Sequence, residues 1–513
     1  MYLGLDSSTQ SLSALVIDPT SGSIIADQSV NFGNDLPEYS SPSGFIPGGR
    51  DGEVHANPLM WLDALDLLLG KLAEVTDLSK IEVIAGSGQQ HGSVYLGKSF
   101  ERAVGGLSPS GSLSSQLSGS FSRKTSPIWM DTSTGEECAE IAATMGGNSE
   151  VCARSGSVMI ERFTGSQIRK FSKADPDAYD ATGRIHLVSS FIASVLAGES
   201  VPIDFGDGAG MNLLNLMDLK WDGKLLDATA PALSEKLPPA ASCLTPVATI
   251  SSYFSEKYGF SEDCRICPFT GDNPASLVGM GATTPGQVVI SLGTSDTFFA
   301  AMPDAKTDPE GFGHVFGNPA GGFMSLICFR NGSLAREALR DELGADWSDF
   351  DSAALSGTKG SAGNNLTLPF YGAEITPRHD FEKPVSEFSE DPSPGLRIRS
   401  LLEGQFLNMR LHSAWMGVET KRILLTGGAS KNDGIAQIVA DVFQAPVERL
   451  EIANSAALGA ALIAAAAGGR DLSTLQLIFC KPAAGSRLEP DTSLAGNYST
   501  ALDGFQKLLQ KSV

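Results

Sequence analysis

The apolar positions of this chain fall into short runs broken by glycine and small hydroxylated residues, and two of the breaks resemble each other. Tyr2 to Leu5 is apolar apart from Gly4, Asp6-Ser7-Ser8-Thr9-Gln10-Ser11 is polar, and Leu12 to Ile17 is apolar again except at Ser13. In the second half the arrangement returns as Val288 to Leu292, Gly293-Thr294-Ser295-Asp296-Thr297 and Phe298 to Ala301. Each segment predicts a β-hairpin whose tight turn exposes backbone N–H groups and hydroxyls. Convergent N–H dipoles make a nest for phosphate oxygens that bulky side chains would block. Two such hairpins in one chain predict a duplicated domain that grips a polyphosphate from both sides.

Between them, Trp61, Leu62, Leu65, Leu68, Leu69 and Leu72 recur at helical spacing, and Ile81 to Ala85 reads as a buried strand ending in Gly86 and Gly88. Strands alternating with crossover helices predict an α/β architecture. The run from Ser108 to Ser126 is serine- and glycine-rich without periodicity and reads as a mobile surface loop. Asp180 to Ala197 reads as a buried helix. A turn signal at Thr283-Thr284-Pro285-Gly286 divides the chain into domains 1–284 and 285–513. The second half contains a strand at Arg422 to Thr426, a Gly427-Gly428 turn, and a helix with Ile435, Ile438, Val439, Val442 and Phe443 on one face. Pro446 ends that helix, and Ser455 begins a small-residue helix that could approach its neighbours closely.

Composition narrows the classes of function. At 513 residues the chain is too long for one core and fits two large domains. A net charge of −22 argues against nucleic acid or an anionic membrane as partner. The longest apolar run, Ala456 to Ala467, is too short to span a bilayer, and Asp6 falls where a signal peptide would be apolar. Seven scattered cysteines suit a reducing compartment, so a cytoplasmic protein is expected.

Three segments carry candidate chemistry. Asp6, at a strand end beside Ser8, Thr9 and Gln10, could hold Mg²⁺ through water, because that ion gives up its hydration reluctantly; an ordinary hairpin turn would use the same residues. Phe269-Thr270-Gly271-Asp272-Asn273-Pro274-Ala275-Ser276 places Asp272 at the start of a helix. There it could accept a proton from an attacking hydroxyl, or Asp272 or Asn273 could cap the helix. Gly86-Ser87-Gly88-Gln89-Gln90-His91-Gly92 is a glycine-flexed turn whose neutral side chains suit a polyol, although a lone histidine can equally be structural. Gly92 to Ser99 formally matches a Walker A loop, but Ser93-Val94-Tyr95-Leu96 is strand-forming sequence and little helix can follow Lys98, so a P-loop is not expected. Cys264-Arg265-Ile266-Cys267 lacks a second pair at zinc-ribbon distance, and the six histidines show no metal-ligand spacing.

With these residues assembled, the chain resembles the FGGY sugar kinases, in the superfamily of actin, hexokinase and the Hsp70 ATPase domain. The motifs are GLDSSTQS at Asp6, SGQQHGSVY at His91, PIWMDTST at Asp131, ERFTGSQI at Arg162, FTGDNPAS at Asp272, SLGTSDT at Thr294 and LTGGASKN at Gly428. The resemblance implies two actin/hexokinase-like (ribonuclease H-like) α/β domains around a central interdomain cleft, the first binding sugar and the second nucleotide. It implies phosphoryl transfer from MgATP to the 5-hydroxyl of a ketopentose, D-xylulose before ribulose or glycerol. A sugar-independent ATPase is the more distant alternative. Asp272 would be the general base, with Gln90, His91, Arg162 and Asn273 around the sugar. Asp6 would serve Mg²⁺, and Ser8, Thr9, Gln10, Gly293 and Thr294 the phosphates. Trp347, Gly427, Gly428, Ala429 and Asn432 would meet the nucleotide. The implied partners are a small-molecule sugar and ATP, with a homodimer left open.

Overall fold

The computed structural model describes residues 1–356, 365–389, 391–450 and 454–513. They form two compact units, one of Met1–Gly281, Val315–Phe323 and Ala453–Cys480, the other of Ala282–His314, Met324–Ile452 and Lys481–Val513.

The first unit is built on a sheet in which strand Tyr2–Ser7 is central. It pairs antiparallel with Ser11–Asp18, closing the predicted hairpin, and parallel with Val83–Gly88. Every residue of Tyr2–Ser7 is buried, as expected of a strand covered on both faces. Helix Pro58–Val75 follows the leucine spacing, with Met60, Trp61, Leu62, Leu65, Leu68, Leu69 and Leu72 buried and Asn57 capping its start. On the sheet lies helix Ser455–Ala467, which approaches so closely that a Cβ on Gly459 would sit 1.8 Å from the Ala275 carbonyl oxygen. One on Gly4 would sit 2.2 Å from the Ala461 nitrogen. Two faces without side chains let backbone meet backbone, and this contact carries Ser455–Ala467 into the first unit. A single cut between 284 and 285 therefore misses the excursions at Val315–Phe323 and Ala453–Cys480.

The second unit repeats the theme. Strand Gln287–Leu292 pairs antiparallel with Asp296–Met302 and parallel with Arg422–Thr426, which pairs parallel with Val447–Arg449. Helix Asp433–Phe443 follows the Gly427-Gly428 turn and buries Ile435, Ile438, Val439, Val442 and Phe443. The echo between the two hairpins is thus structural: each leading strand has its hairpin partner on one side and a parallel strand on the other.

Two expectations are corrected. Ser108 to Ser126 is ordered, containing helix Leu113–Leu117 capped by Ser112. Leu113 and Leu117, four residues apart, are fully buried, and the Leu113 N–H donates to Asp66 at 2.9 Å. Two leucines on one face anchor the segment despite its serine content. Asp180 to Ala197 is not one helix: Thr182–Leu187 is a strand paired with Ser93–Gly97, and the helix runs Val188–Ala197. Ile185, His186 and Leu187 are all fully buried, as in a strand covered on both faces. The Ser93–Gly97 strand is also the physical reason no P-loop forms there.

Candidate active site

In the first unit, three parallel strands end at one level. Asp6 lies opposite Ser87, and Ser87 opposite Thr270. This register brings the Asp6 carboxylate, the Gln90-His91 turn and Asp272 to one sheet edge. The Ser87 hydroxyl donates to Asp6 Oδ1 at 2.7 Å. Burial nevertheless pushes the Asp6 carboxyl up to about 6, outweighing the hydrogen bonds from Ser87 and Ser8.

Asp272 is the first residue of helix Asp272–Gly279, with Gly271 as its N-cap. Its Oδ1 accepts from the Asn273 N–H at 2.8 Å and Asn273 Nδ2 at 3.1 Å, and Asn273 Nδ2 also donates to Gln90 Oε1 at 2.8 Å. Asp272 keeps some exposed surface at the sheet edge. Burial still pushes its carboxyl up to about 7, and the negative charge of Asp6 adds to the effect. Asp272 is thus no ordinary N-cap. It is a carboxyl poised near neutrality, tied through Asn273 to Gln90.

His91 adopts a φ of +72°, a left-handed conformation uncommon outside glycine. Its ring stacks on Phe163, centroids 4.1 Å apart, and Nδ1 lies 2.8 Å from the Gly210 carbonyl oxygen, to which it must donate a proton. Gln90 Nε2 donates to the Gly206 carbonyl at 3.5 Å. Residues Gly206 to Gly210 therefore orient both polar side chains of the turn. Sequence reasoning missed this segment, whose signal is the small-residue run Gly206-Asp207-Gly208-Ala209-Gly210. Asp207 is 0 % exposed, accepts from the Ser189 hydroxyl, and is held well above the usual carboxylate range by burial. Arg162 is half-buried beside Phe163. Thr9 Oγ1 accepts from the Trp129 indole N–H at 2.9 Å, Ser8 Oγ donates to the Ser11 carbonyl at 3.2 Å, and Gln10 is exposed.

Asp131, in the segment following Trp129, is a bracing residue. Burial would raise its carboxyl, but bonds from His55, Ser133 and Gln167 hold it below the usual range. It also accepts from the Val54 N–H at 3.0 Å.

The second unit holds a cavity of about 490 Å³ lined by Gly293, Thr294, Trp347, Gly428, Ala429 and Asn432, among others. Six of the residues expected at a nucleotide are thereby brought together. Gly427 lies behind the wall, with a φ of +90° and no room for a side chain: a Cβ would sit 2.4 Å from the Leu292 carbonyl oxygen. Asn432 caps helix Asp433–Phe443 by accepting from the Ile435 N–H at 2.8 Å. Its amide also donates to Asp351, a second cavity-wall residue. Trp347 presents an exposed ring edge-on to Phe350, centroids 5.5 Å apart, with the Arg340 guanidinium 4.6 Å from its centroid. An apolar ring, a glycine-lined turn and a helix N-terminus in one hollow suit a purine nucleotide with its phosphates.

Asp6, at the strand end beside the first turn, could hold Mg²⁺ through water, since that ion gives up its hydration reluctantly. Among the described residues no group of three His, Cys, Asp or Glu side chains forms a closed cage. The cysteines Cys264 and Cys267 are buried, with thiols pushed up to about 12 by burial.

Two carboxyls raised by burial beside a polar turn, and in the second unit a glycine-turned hollow suited to a nucleotide, fit a kinase, and sequence comparison gives the family. Residues 125–279 match the N-terminal domain and residues 288–468 the C-terminal domain of the FGGY family of carbohydrate kinases. The chain is 40% identical to the xylulose kinase of Mus musculus over 524 aligned residues, 99% of this chain and 94% of that protein. It is 41% identical to the xylulose kinase of Rattus norvegicus, covering 99% and 96%. The fold matches the crystal structure of xylulose kinase from Rhodospirillum rubrum with a TM-score of 0.82 at 20% identity, covering 99% and 98%. The chain belongs to the FGGY family of carbohydrate kinases.

Proposed function

We propose that the protein transfers the γ-phosphoryl group of ATP to the 5-hydroxyl of D-xylulose, giving D-xylulose 5-phosphate. The observation that carries this reading is the Asp272 carboxyl, raised to about 7 beside Asp6 and linked through Asn273 to Gln90. The acceptor is supported by the full-length similarity to proteins named xylulose kinase.

In this reading the first unit is the sugar-binding domain and the second the nucleotide-binding domain. Gln90, His91, Arg162 and Asn273 hold the sugar, and neutral amide and imidazole groups suit hydroxyls that carry no charge. Asp272 accepts the proton of the attacking hydroxyl. A group titrating near the working pH is a competent base without being permanently protonated. The transition state of phosphoryl transfer is loose, so positioning and charge neutralisation supply most of the rate. Thr9, Gly293 and Thr294 meet the phosphates, with Ser8 and Gln10 shaping the first turn. Gly428, Ala429, Trp347 and Asn432 hold the nucleoside. Asp6 would hold Mg²⁺ through water, and when bound that ion neutralises charge on the phosphates. The enzyme would act in the cytoplasm.

An ADP-release assay with MgATP and D-xylulose, D-ribulose or glycerol tests the reading. D-xylulose is expected to give a kcat/KM at least about tenfold above the others. A higher value for another acceptor would reassign the substrate, and ADP release indifferent to every sugar would overturn the kinase.

A further inference from the structure

We propose that Arg336 is a positioning residue for the phosphoryl donor: locked against Asp296, it fixes the Gly293-Thr294 turn in the form that receives phosphate. This rests on the reading of the cavity in the second unit as the nucleotide site.

The two hairpins that echo one another in sequence differ in what becomes of their aspartates. Asp6, in the first, is paired with a hydroxyl and left with a carboxyl that can serve a metal ion. Asp296, in the second, is neutralised. Arg336 Nη1 donates to Asp296 Oδ2 at 3.1 Å and Nη2 to Oδ1 at 3.0 Å, a two-pronged pair whose side chains are each 1% exposed. Burial alone raises the Asp296 carboxyl, and the Arg336 charge works against that rise, so the pair stays ionic and the fork stays anchored beside the turn.

The guanidinium also reaches the turn itself. Nη2 lies 3.4 Å from the Gly293 carbonyl oxygen, which accepts from the Ser333 N–H at 3.0 Å as well. With its carbonyl held by Ser333 and Arg336, which line the same cavity, Gly293 is fixed at the wall. The other prong is fixed in turn: Arg336 Nη1 donates to Gln405 Oε1 at 3.0 Å, and Gln405 Nε2 holds the Asn331 and Gly332 carbonyls at 2.7 and 2.9 Å. Arg336 thus joins the turn, the start of helix Ser333–Leu343 and the long helix Pro394–Ser413 into one rigid piece.

A buried ion pair is poor evidence of stability, because removing two charges from water costs as much as their attraction returns. Its effect here is geometric. A planar fork makes two parallel bonds to a carboxylate and a third to a carbonyl, which the single ammonium of lysine cannot reproduce.

The experiment compares wild type with Arg336→Lys and with the neutral pair Asp296→Asn/Arg336→Gln. It measures ATP binding by calorimetry without sugar, steady-state kinetics with D-xylulose, and the folded fraction. Arg336→Lys is expected to weaken ATP binding about tenfold or more and to lower kcat, leaving the KM for D-xylulose within about twofold. The double variant, which unpairs no charge, should show the same ATP-specific loss and decides the matter if the lysine variant does not fold. Wild-type ATP affinity and kcat in either folded variant would overturn the proposal. So would a loss that merely follows the unfolded fraction. Should the wild type phosphorylate no sugar, the function proposed above would fail while the ATP-binding comparison would still read this inference.

Discussion

The negative charge of Asp6 opposes the ionisation of Asp272: burial raises the Asp272 carboxyl to about 7, and the Asp6 charge adds to it. A protonated Asp272 cannot accept the hydroxyl proton, so kcat/KM should fall about tenfold per pH unit on the acid side of an apparent pKa near 7. The sign is set by the raised value, since protonation on lowering the pH removes the base. Asp6→Asn deletes the opposing charge and should move that limb to lower pH in whatever activity survives. A pH–rate profile of both proteins checks this; an acid limb unmoved by the substitution would uncouple the two carboxyls.

Asp272→Asn keeps the shape of the side chain and its bond from the Asn273 N–H, yet offers no base. Transfer should drop by about 10²- to 10⁴-fold, while ATP affinity stays near wild type. Calorimetry with ATP and single-turnover kinetics separate the two effects. A kcat within about threefold of wild type would remove Asp272 from the chemistry.

What could be read from the sequence follows the range of the interactions involved. The hairpins, the Arg422–Thr426 strand and the Asp433–Phe443 helix are written in local periodicity and turn residues, and they appear where expected. The meeting of Thr294, Trp347 and Asn432 in one cavity is long-range and came from motif resemblance, since no local pattern relates those positions. Arg336 was invisible for a related reason. It sits on a helix face with buried Ala335 and Leu339, and only the fold reveals that its partner is Asp296, on the hairpin. The serine-rich segment was misread because two leucines at helical spacing outweigh a polar composition once Asp66 accepts the Leu113 N–H and the Tyr253 hydroxyl donates to the Gly111 carbonyl.

Trp347 is 44% exposed and shares its ring between Phe350 and Arg340 at the cavity wall. A large flat surface left open beside a glycine turn is suited to stacking on a purine. Trp347→Ala should therefore raise the KM for ATP about tenfold, with little change in the KM for the sugar. Thermal unfolding should move little, because the ring is only partly buried. Steady-state kinetics with each substrate varied in turn give the comparison, and a change confined to the sugar would contradict the assignment of this cavity.

Gly459 faces the Ala275 carbonyl with no space for a methyl group. Gly459→Ala must therefore push helix Ser455–Ala467 off helix Asp272–Gly279, whose first residue is the proposed base. A loss of about 2 kcal/mol or more is expected, above the usual gain from replacing glycine by alanine in a helix. Chemical denaturation measures it. Because the strain bears on the helix that carries Asp272, kcat should fall even in the folded fraction, whereas a destabilised enzyme of normal kcat would show that the two helices are mechanically independent.

His186 contributes a pH dependence of stability whose direction follows from its packing. The imidazole is fully buried, with Nδ1 3.0 Å from the Ser190 hydroxyl and Nε2 2.8 Å from the Ser200 hydroxyl. Burial, with the Arg184 charge adding to it, lowers its pKa to about 3. The unfolded chain binds this proton below its ordinary value of about 6.5, and the folded chain does not until far lower pH. The contribution is therefore complete above about 6.5 and is lost as the pH falls towards 3, by up to about 1.4 kcal/mol per unit. The raised carboxyls of Asp207 and Asp272 act in the opposite sense, since the folded state holds their protons longer, so wild type alone cannot isolate the histidine. The difference between wild type and His186→Gln does. The variant's stability should decline less steeply between pH 6.5 and 4, and parallel curves in denaturant titrations across that range would exclude His186 as the source.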